Sequence, residues 1–592
     1  MTAGHRTGSG TCGDGGRWGH DWQSSWWAAK MAHGARLIWE QLTAAERDDV
    51  ERVVASEASA HLGRSAPSGL FLDTKAEENA WDSEILAAAL GLFPDHPDAP
   101  LWREKLVEFA VNTLSAPQDR ESDEPVDGRP LRDQVYTVNL HGDFTLENHG
   151  SCHFCYVASP LASVAWSVHA LARSGRPAPE AIFHHVGDLW RRFKGTFLGS
   201  RFAYLGGQDW ARYTYGEYFI VPALALIQYR FGDPDARAVE AARVRTLERE
   251  QEANGDGSFF GRRVTRGVYS GQSAKYESDC FAALGLAYLL HRSLGPPEDS
   301  AGPEDLGTRL AARHLSPESG TCFVRTPALF ASFSWTCLGR SIPSAQFIPE
   351  GMEHAAEWAA GNLLGRVEVP GLRPALFIRT MVPKGEGFEV SGVVLYPSRG
   401  GFALEHRLRF RVVPEERRAE VESTFLARSK VVVLSREGLQ LYVANDFFND
   451  FGRSYAWDGG SRKVGFDPER ASRPRPGRGR LGRLSRKLSR RLGLGEERVA
   501  MGARWVNIDD KLGVIRLAPG GGPFVLRCPD DRNVAGSLHC DVLGAPARST
   551  LPRVARAGEL ILRTRFLLLA GTAAETEALD ARTPRAAEAG TA

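Results

Sequence analysis

The sequence predicts an α+β multidomain protein in which an N-terminal incomplete (α/α) toroid is followed by a C-terminal antiparallel β-sandwich. Three observations support this fold class. The chain has 592 residues, which is long enough for two or three domains. Apolar residues recur at helical spacing from residue 22 to about residue 315. After about residue 320 they alternate with polar residues, as in half-buried strands.

The helical half is a succession of amphipathic segments. The first carries Trp26, Met31 and Leu37 at helical spacing, and the next opens with Thr43 and Glu46, the signature of a capping box. Further periodic stretches lie at residues 75–92, 99–115, 156–174, 179–194, 212–231, 234–251 and 276–293. About ten helices in hairpin-like succession, without the fixed-period repeat of a solenoid, predict a toroid of paired helices around a central cleft.

The second half has the pattern of stacked antiparallel sheets. Residues 407–412 and 420–422 alternate strictly, and residues 431–434 and 560–568 form apolar runs suited to buried strands. Glycine and proline clusters between these stretches indicate turns. We therefore predict a disordered N-terminus at 1–20, a toroid at 21–318, a β-sheet domain at 319–578 and a disordered tail at 579–592.

A basic run interrupts the β-sheet domain and predicts a flexible insertion at about residues 461–498. Nine Arg or Lys residues and no acid lie between Arg473 and Arg491, although the net charge of the whole chain is only +1. The remainder is therefore net acidic, and nothing outside this run indicates nucleic-acid binding. The run is interpreted as a solvated loop, with an arm for polyanions or an anionic membrane surface as the alternative.

Other features concern metals, membranes and location. Cys152 and Cys155 form a lone C-x-x-C next to His149 and His153, but no second cysteine pair has zinc-ligand spacing, so we predict no metal and no cofactor. No apolar run reaches the ~18 residues of a membrane span. The sequence as it stands lacks a signal peptide and predicts a cytoplasmic protein, with secretion the alternative if the start differs. Nothing in the sequence indicates an oligomeric state.

Three polar and aromatic clusters in the helical half are candidates for a site. In the first, Thr74 and Glu77 form a second potential capping box, which explains both without a function. Glu78, Asn79 and Trp81 remain as candidate substrate-binding residues. The alternative for the acids is favourable interaction with a helix N-terminus.

The second cluster contains Asn148, His149 and His153 on a glycine-bearing loop just before an apolar helix. Such a loop is where a toroid exposes residues to its cleft, and turn formation alone does not require so many imidazole and amide groups. The third cluster surrounds Tyr213 and Tyr215, and its candidate substrate-binding residues are Gln208, Asp209, Trp210 and Arg212. Its alternative is the start of an amphipathic helix with packed rings.

These clusters support a family resemblance. The pair Asn148-His149, a tyrosine 64 or 66 positions after His149 (Tyr213 or Tyr215) and an all-β second half resemble the heparinase II/III-like polysaccharide lyases and their alginate- and chondroitin-lyase relatives. The segments DTKAEENAWD and ENHGSCHFCY are similar to that group. The chain departs from the pattern after His153, where Phe154 and Cys155 replace a proline and an acid, so the relatives' substrate need not carry over.

The resemblance implies β-elimination in an acidic polysaccharide or oligosaccharide. Asn148 would neutralise the uronate carboxylate, and His149 would be neutraliser or base. Tyr213 or Tyr215 would remove the C5 proton and protonate the leaving O4, because tyrosine can serve as base and acid. The family often adds a histidine near the domain junction, for which His354 and His406 are candidates. This mechanism requires no metal.

Two rival functions remain. A glycoside hydrolase on a similar toroid needs two carboxyl groups flanking the bond, for which Asp82, Asp209 and Glu217 are available. A non-catalytic glycan-binding protein would keep the cleft without the chemistry.

Overall fold

The structure, a computed structural model, has two compact units. Unit 1 comprises Met1–Lys194, Arg212–Leu247 and Ser278–Glu304, and unit 2 comprises Gly195–Ala211, Glu248–Glu277 and Asp305–Ala592. The residues that the structure describes are 1–206, 213–261, 273–295, 306–337, 342–353, 363–445, 449–465, 497–502, 504–518, 522–528, 533–534, 538–546 and 552–584.

Helices dominate unit 1, and they lie where the hydrophobic period predicts them. The end of α8 and the start of α9 are assigned to unit 2. The helices are α1 (Ser24–Leu37), α2 (Ala44–Ser59), α3 (Ala76–Leu92), α4 (Ala99–Val111), α5 (Phe154–Arg173), α6 (Val186–Phe193), α7 (Tyr213–Phe231), α8 (Pro234–Asn254) and α9 (Ser273–Leu294). Short strand pairs connect some of them: β1 (Pro125–Val126) with β2 (Arg129–Pro130), and β3 (Glu147–Asn148) with β4 (Ser151–Cys152).

Helices α1, α3, α5 and α7, called the inner helices below, pack side by side in that order, and contacts between their corresponding ends show that they run in the same direction. At one end of this layer, Trp26 of α1 stacks on Trp81 of α3, with ring centroids 5.3 Å apart. At the other end, Gly91 of α3 lies so close to Ala170 of α5 that an added Cβ would be 2.7 Å from the Ala170 carbonyl oxygen. Only glycine fits at Gly91, because a Cβ would collide with α5. The two contacts together show that the N-termini of these helices lie at the same end of unit 1.

Helix α5 is the most apolar of these helices. Among the described residues, it is the one helix with the length and composition of a membrane span, and 83% of its apolar window is buried inside the protein. A single, mostly buried helix of this kind is typical of a protein core.

The first twenty residues pack on unit 1, contrary to the disordered N-terminus that the sequence predicts. His5 is fully buried, and its Nε2 lies 2.9 Å from a carboxylate oxygen of Glu57. The same buried carboxylate accepts hydrogen bonds from the backbone N–H of His20 at 2.8 Å and the hydroxyl of Ser24 at 2.6 Å. A buried carboxylate needs these donors, so the segment is held in place by polar contacts that hydrophobic periodicity does not reveal.

Of the two predicted capping boxes in the helical half, one forms. Thr43 accepts the Glu46 backbone N–H, and the Glu46 side chain accepts the Thr43 N–H, which confirms the first. The prediction for Thr74 was wrong, because α3 begins one residue later and Lys75 is its N-cap. The Thr74 hydroxyl instead donates to the Asn139 carbonyl oxygen at 2.8 Å.

Antiparallel sheets dominate unit 2, with α10 (Leu306–Arg309) before them and α11 (Ala573–Arg582) near the end. The strands are β5 (Ala312–Ser316), β6 (Thr321–Arg325), β7 (Leu329–Ser334), β8 (Ser344–Pro349), β9 (Arg366–Glu368), β10 (Ala375–Lys384), β11 (Gly387–Ser398), β12 (Gly401–Val413), β13 (Arg418–Ala427), β14 (Val431–Val433), β15 (Ser435–Ala444), β16 (Gly452–Trp457), β17 (Gly460–Gly465), β18 (Glu497–Ala500), β19 (Trp505–Ile508), β20 (Leu512–Arg516), β21 (Val525–Cys528), β22 (Asn533–Val534), β23 (Leu538–Pro546), β24 (Arg553–Ala555) and β25 (Leu560–Ala570).

Three large sheets arise from these strands in the described part of unit 2. A nine-stranded sheet has the order β10-β11-β12-β13-β25-β20-β19-β16-β17, a six-stranded sheet contains β18-β21-β23-β15-β9 with β22 beside β23, and a four-stranded sheet has the order β5-β6-β7-β8. Strand β13 alternates buried and half-buried residues along its whole length, as the sequence pattern predicts. The fold class predicted from sequence, a toroid followed by an antiparallel β-sandwich, is therefore confirmed.

The predicted domain limits and the chain division differ in detail. Residues 195–211 and 248–277 belong to the compact unit that contains the sheets, although they lie within the predicted toroid. The predicted basic insertion overlaps β17 at residues 461–465 and β18 at residues 497–498. The remaining residues of that insertion, 466–496, lie outside the described residues.

Candidate functional site

A hairpin before α5 brings the first and second sequence clusters together. Strands β3 and β4 pair Asn148 with Ser151, and the two turn residues, His149 and Gly150, have positive φ values of 54° and 74°. Two left-handed residues are typical of the tight turns that join antiparallel strands. Asp73 forms a backbone bridge with Asn148, so the segment before α3 lies against this hairpin.

Asn148 is buried and already oriented. Its side-chain amide Nδ2 donates to Asp73 Oδ1 at 3.0 Å, and Asp73 in turn lies 2.7 Å from Lys75 Nζ. The side-chain amide nitrogen of asparagine carries two protons. Because one proton is donated to Asp73, the direction of the second N–H bond is fixed as well. Asp73 therefore holds Asn148 in a defined rotamer beside the turn.

Three rings form a compact group at the N-terminus of α5. The ring centroids of His149 and His153 are 5.4 Å apart, and those of His149 and Tyr156 are 5.3 Å apart. The Tyr156 hydroxyl lies 3.2 Å from His149 Nε2. His149 is exposed, whereas His153 is buried. The arrangement joins an imidazole and a phenol by a hydrogen bond along which a proton can move.

Tyr156 was not among the residues that the sequence singled out. A helical signal was available, because His153 is the N-cap of α5 and Tyr156 lies three residues later. Residues three positions apart lie on the same face of a helix. A histidine at the start of a helix therefore identifies the residue three positions later as its neighbour.

The third cluster approaches the same place through α7. An added Cβ on Gly216 would lie 2.9 Å from the Phe154 ring and 3.2 Å from the Cys155 Cα, so the start of α7 packs directly on the start of α5. Tyr213 begins α7, and Tyr215 precedes Gly216. The start of α7 therefore lies against the first residues of α5, and the side chains of Tyr213 and Tyr215 lie outside the described residues.

The first cluster divides into surface and interior positions. Glu78 is partly buried and lies 3.0 Å from Lys75 Nζ, and burial raises its pKa although Lys75 opposes the shift. Asn79 is fully buried, and its amide donates to the Pro67 and Asn112 carbonyl oxygens at 2.9 and 3.1 Å. With both amide protons used, Asn79 holds the backbone together in this structure and has no donor to offer a substrate. The prediction that it binds substrate is therefore not supported.

Aromatic rings surround this end of unit 1. Trp81 is only 3% exposed and stacks on Trp26, so it supports other rings. Trp22 is 65% exposed, and its ring centroid lies 5.9 Å from that of Trp81. Phe71, in the segment that packs on the hairpin, is 68% exposed. Exposed rings held by buried ones can stack on sugar faces, and sequence spacing alone gave no reason to choose Trp22 or Phe71.

Several predicted residues cannot be placed. Gln208, Asp209, Trp210, Arg212 and His354 lie outside the described residues.

The other junction candidate, His406, is part of the sheet core and not solvent-facing. It is 2% exposed, stacks on Phe425 at 3.8 Å and lies 2.6 Å from the Ser423 hydroxyl. Burial lowers its pKa to about 3, so it is a neutral structural residue at ordinary pH.

Of the acids that a glycoside hydrolase would use, Glu217 and Asp82 lie in the described part of the chain, and Asp209 lies outside it. Glu217 and Arg243 are both 2% exposed, with 3.1 Å between carboxylate and guanidinium. Burial raises the pKa of Asp82 to about 7, and Asp82 lies 3.5 Å from His61 Nε2. A hydrolase needs two carboxyl groups that reach the bond, and an acid locked in a buried ion pair does not meet that need.

The chain has similarity to solved structures. No protein-family model and no curated protein sequence matches the chain. The chondroitin AC lyase of Streptomyces coelicolor A3, solved in complex with chondroitin sulphate, superimposes with a TM-score of 0.50 at 11% sequence identity. The match covers 95% of this chain and 69% of that enzyme. The chain therefore shares the overall fold of that enzyme.

Weaker similarities accompany this one. Heparan sulfate lyase HepC of Pedobacter heparinus matches 93% of this chain and 76% of its own length, with a TM-score of 0.30 and 8% identity. The GH36 α-galactosidase AgaB of Geobacillus stearothermophilus matches 44% of this chain and 41% of its own, with a TM-score of 0.28 and 8% identity. Similarities this weak carry no argument. The resemblance to the toroid-plus-sandwich lyases is confirmed at the level of fold, and activity needs its own argument.

Proposed function

We propose that the protein is a lyase that cleaves a uronate-containing polysaccharide or oligosaccharide by β-elimination. One observation carries the proposal: Asn148, His149, His153 and Tyr156 gather at the end of unit 1 where the inner helices begin, with the backbone of α7 beside them. These are the residue types that the elimination needs, and the lyase fold of the chain supports this choice.

The helix N-termini at this end favour an anionic group, and Lys75 offsets the charge of the nearby Asp73 carboxylate. Helices α3 and α5 begin here, and α7 begins against α5. Helix N-termini carry partial positive charge and unpaired N–H groups, so their convergence stabilises a carboxylate. The Asn148 amide is held by Asp73 at the same place and can donate its second proton to that carboxylate.

The reaction follows from these contacts. With its carboxylate neutralised, the sugar can lose the proton at C5 to a base. The electron pair of the C5–H bond forms the C4–C5 double bond as the C4–O4 bond breaks, and O4 takes a proton from an acid. His149 and Tyr156 share a hydrogen bond, so one can hold the proton that the other releases. Tyr213 and Tyr215 remain candidates for the same base and acid roles.

The test is incubation of the full chain with separate uronate polymers, including chondroitin sulphate and heparan sulfate. A lyase produces an unsaturated uronate that absorbs in the ultraviolet, and the masses of the two products add up to the mass of the substrate. A hydrolase produces reducing ends without this absorbance and adds one water per cleavage. Reducing ends without absorbance, or binding without cleavage, would contradict the proposal.

A further inference from the structure

A second polar cluster lies in two connectors of unit 1, one of which interrupts the helix that the sequence predicts at residues 179–194. Asp119 belongs to a short 3-10 helix (Pro117–Glu121) after α4. His184 and His185 lie between another 3-10 helix (Glu180–Phe183) and α6. Asp119 is 2% exposed, and both histidines are largely buried.

The three side chains converge on one point. Each Asp119 oxygen faces a different histidine: Oδ2 lies 3.0 Å from His184 Nε2, and Oδ1 lies 2.8 Å from His185 Nε2. The ligand-type atoms of all three residues lie within 4.8 Å of one another, and in the described part of the chain this is the one group of three or more His, Cys, Asp or Glu residues that does so.

The backbone is arranged to produce this convergence. His185 has φ of 55°, in the left-handed region that a residue with a Cβ rarely adopts. Neighbouring side chains normally diverge, whereas here the two imidazole centroids are 3.9 Å apart and both Nε2 atoms face Asp119. Such strain is common at functional sites, where surrounding structure maintains it.

An outer carboxylate orients one of the rings. His185 Nδ1 lies 2.8 Å from Asp188, so the ring is held between two carboxylates. Carboxylates only accept hydrogen bonds, so Nδ1 presents its proton to Asp188, and Nε2 faces Asp119 with either a proton or a cation between them. A carboxylate behind a histidine is the usual support of a metal ligand.

We propose that Asp119, His184 and His185 form a binding site for a divalent transition-metal ion of the Zn²⁺ class. Two imidazole nitrogens and one carboxylate oxygen suit Zn²⁺, whereas Mg²⁺ and Ca²⁺ prefer oxygen ligands throughout. With metal–ligand bonds of about 2.0–2.1 Å, neighbouring ligands sit roughly 3.3 Å apart, so the imidazole–carboxylate contacts need to open by only a few tenths of an ångström. Water completes the coordination.

The site would brace the candidate active-site loop. Phe144, three residues before β3, packs on the His185 ring at a centroid distance of 4.6 Å. Two connectors 65 residues apart in sequence would thereby be joined at a point that contacts the segment leading to Asn148. This role is structural, and it is independent of whether the chain is a lyase.

The experiment uses the tag-free full chain, stripped of metal by a chelator and then dialysed against Zn²⁺. We expect about one Zn²⁺ per chain by elemental analysis, and a rise in melting temperature that added chelator reverses, because an ion that binds only the folded state stabilises it. Co²⁺ in place of Zn²⁺ should give visible absorption bands typical of mixed nitrogen and oxygen coordination. A chain that takes up no metal would overturn the proposal.

Variants locate the ion. His184→Gln and His185→Gln should each lower the Zn²⁺ affinity at least tenfold. His291→Gln is the matched control, because His291 also pairs with a single buried carboxylate, Glu240, at 2.9 Å but lacks a third ligand. It should keep full Zn²⁺ content.

Equal Zn²⁺ content in all variants, or loss of Zn²⁺ in Cys152→Ser, would place the ion elsewhere and overturn the assignment. Metal content is read without substrate, so this result is separable from any lyase assay.

Discussion

His149 lies on a two-residue turn that only a left-handed backbone can make, and its ring meets Tyr156 from the first turn of α5. The proton-transfer groups are thus positioned by local structure on two adjoining elements. His153, the N-cap of α5, lies under both rings. Because the geometry depends on the hairpin and the helix start together, small changes in either should affect turnover more than folding.

The working tyrosine can be found with three variants. Tyr156→Phe, Tyr213→Phe and Tyr215→Phe each delete one oxygen. The variant that removes the general base or acid should lower kcat by about 100-fold or more with little change in melting temperature. Tyr213 and Tyr215 diverge by about 200° on a helix, so at most one of them should show this loss.

Tyr229→Phe is the control for this series, since the Tyr229 hydroxyl bonds to His291 instead. It should retain the wild-type rate of unsaturated-product formation. Wild-type rates in all three test variants would remove tyrosine from the mechanism.

Two asparagines of similar sequence context should behave differently. Asn148→Ala removes the donor to the substrate carboxylate and should lower kcat/KM by about 10²-fold or more, the scale of one lost oxyanion donor. Asn79→Ala removes two hydrogen bonds from a fully buried position, to the Pro67 and Asn112 carbonyl oxygens, and should lower the unfolding free energy by about 1–3 kcal/mol. Steady-state kinetics and denaturant titration separate the two effects. The reverse pattern would show that the site has been placed on the wrong residue.

His406 should contribute to a loss of stability in acid, together with His61 and His169, whose pKa values burial also lowers. Burial lowers its folded pKa to about 3, below the ordinary value of 6.5, so between these pH values the unfolded chain binds a proton that the folded chain does not. Unfolding free energy is therefore lost as pH falls from 6.5 towards 3, by up to ~1.4 kcal/mol per pH unit. His406→Gln should flatten this slope in denaturant titrations at pH 7 and pH 5. Ser423→Ala keeps the histidine and should preserve the slope.

At the scale of elements, the N-terminal segment is the clearest case of a structure held by polar contacts. Deleting residues 1–20 removes the His5 ring and the His20 backbone N–H from buried Glu57. Leaving a buried charge without its partners should lower the unfolding free energy by about 3 kcal/mol or more, as read by the denaturant midpoint.

A second change checks the reason for this loss. Glu57→Gln in the truncated chain removes the charge and should regain part of the lost stability. Full stability after truncation alone would show that the first twenty residues contribute nothing.

The helices themselves were predictable because apolar residues recur at helical spacing along each predicted segment, a property of the segment that does not depend on which neighbour covers it. Helix α3 is observed at Ala76–Leu92, where the sequence predicts a helix at 75–92. Its start was harder to predict. Thr74 has the right side chain for an N-cap, but the Asn139 carbonyl, 65 residues away in sequence, accepts its hydroxyl proton instead. A capping prediction made from neighbouring residues fails when a group distant in sequence forms the hydrogen bond instead.

At the scale of the whole molecule, the basic run joins two different sheets. Strand β17 before it is an edge of the nine-stranded sheet, and β18 after it is an edge of the six-stranded sheet. Deleting Ser472–Leu492 leaves about ten residues between the described strands, which can span roughly 30 Å when extended. The fold should therefore persist, with unchanged rates on short oligosaccharides.

Binding to long polyanions by the same deletion variant should weaken, and more so at low than at high salt, because screening reduces the attraction of the removed charges. Limited proteolysis of the intact chain should cut first within about residues 461–498. Loss of folding on deletion, seen as a lost thermal transition, would contradict this interpretation.

Fold class, helix positions and the strongest strands follow from the sequence alone, because hydrophobic period is a property of each segment. The Asn148-His149 motif and the tyrosines of α7 could also be named from sequence, as residue types that suit one chemistry. Only tertiary structure added Tyr156 and Trp22 to the candidate site, moved Asn79 and His406 into the interior and joined Asp119 to His184 and His185. The physical reason is that hydrogen bonds and ring contacts depend on which elements meet, and the hydrophobic period of a segment does not specify its neighbours.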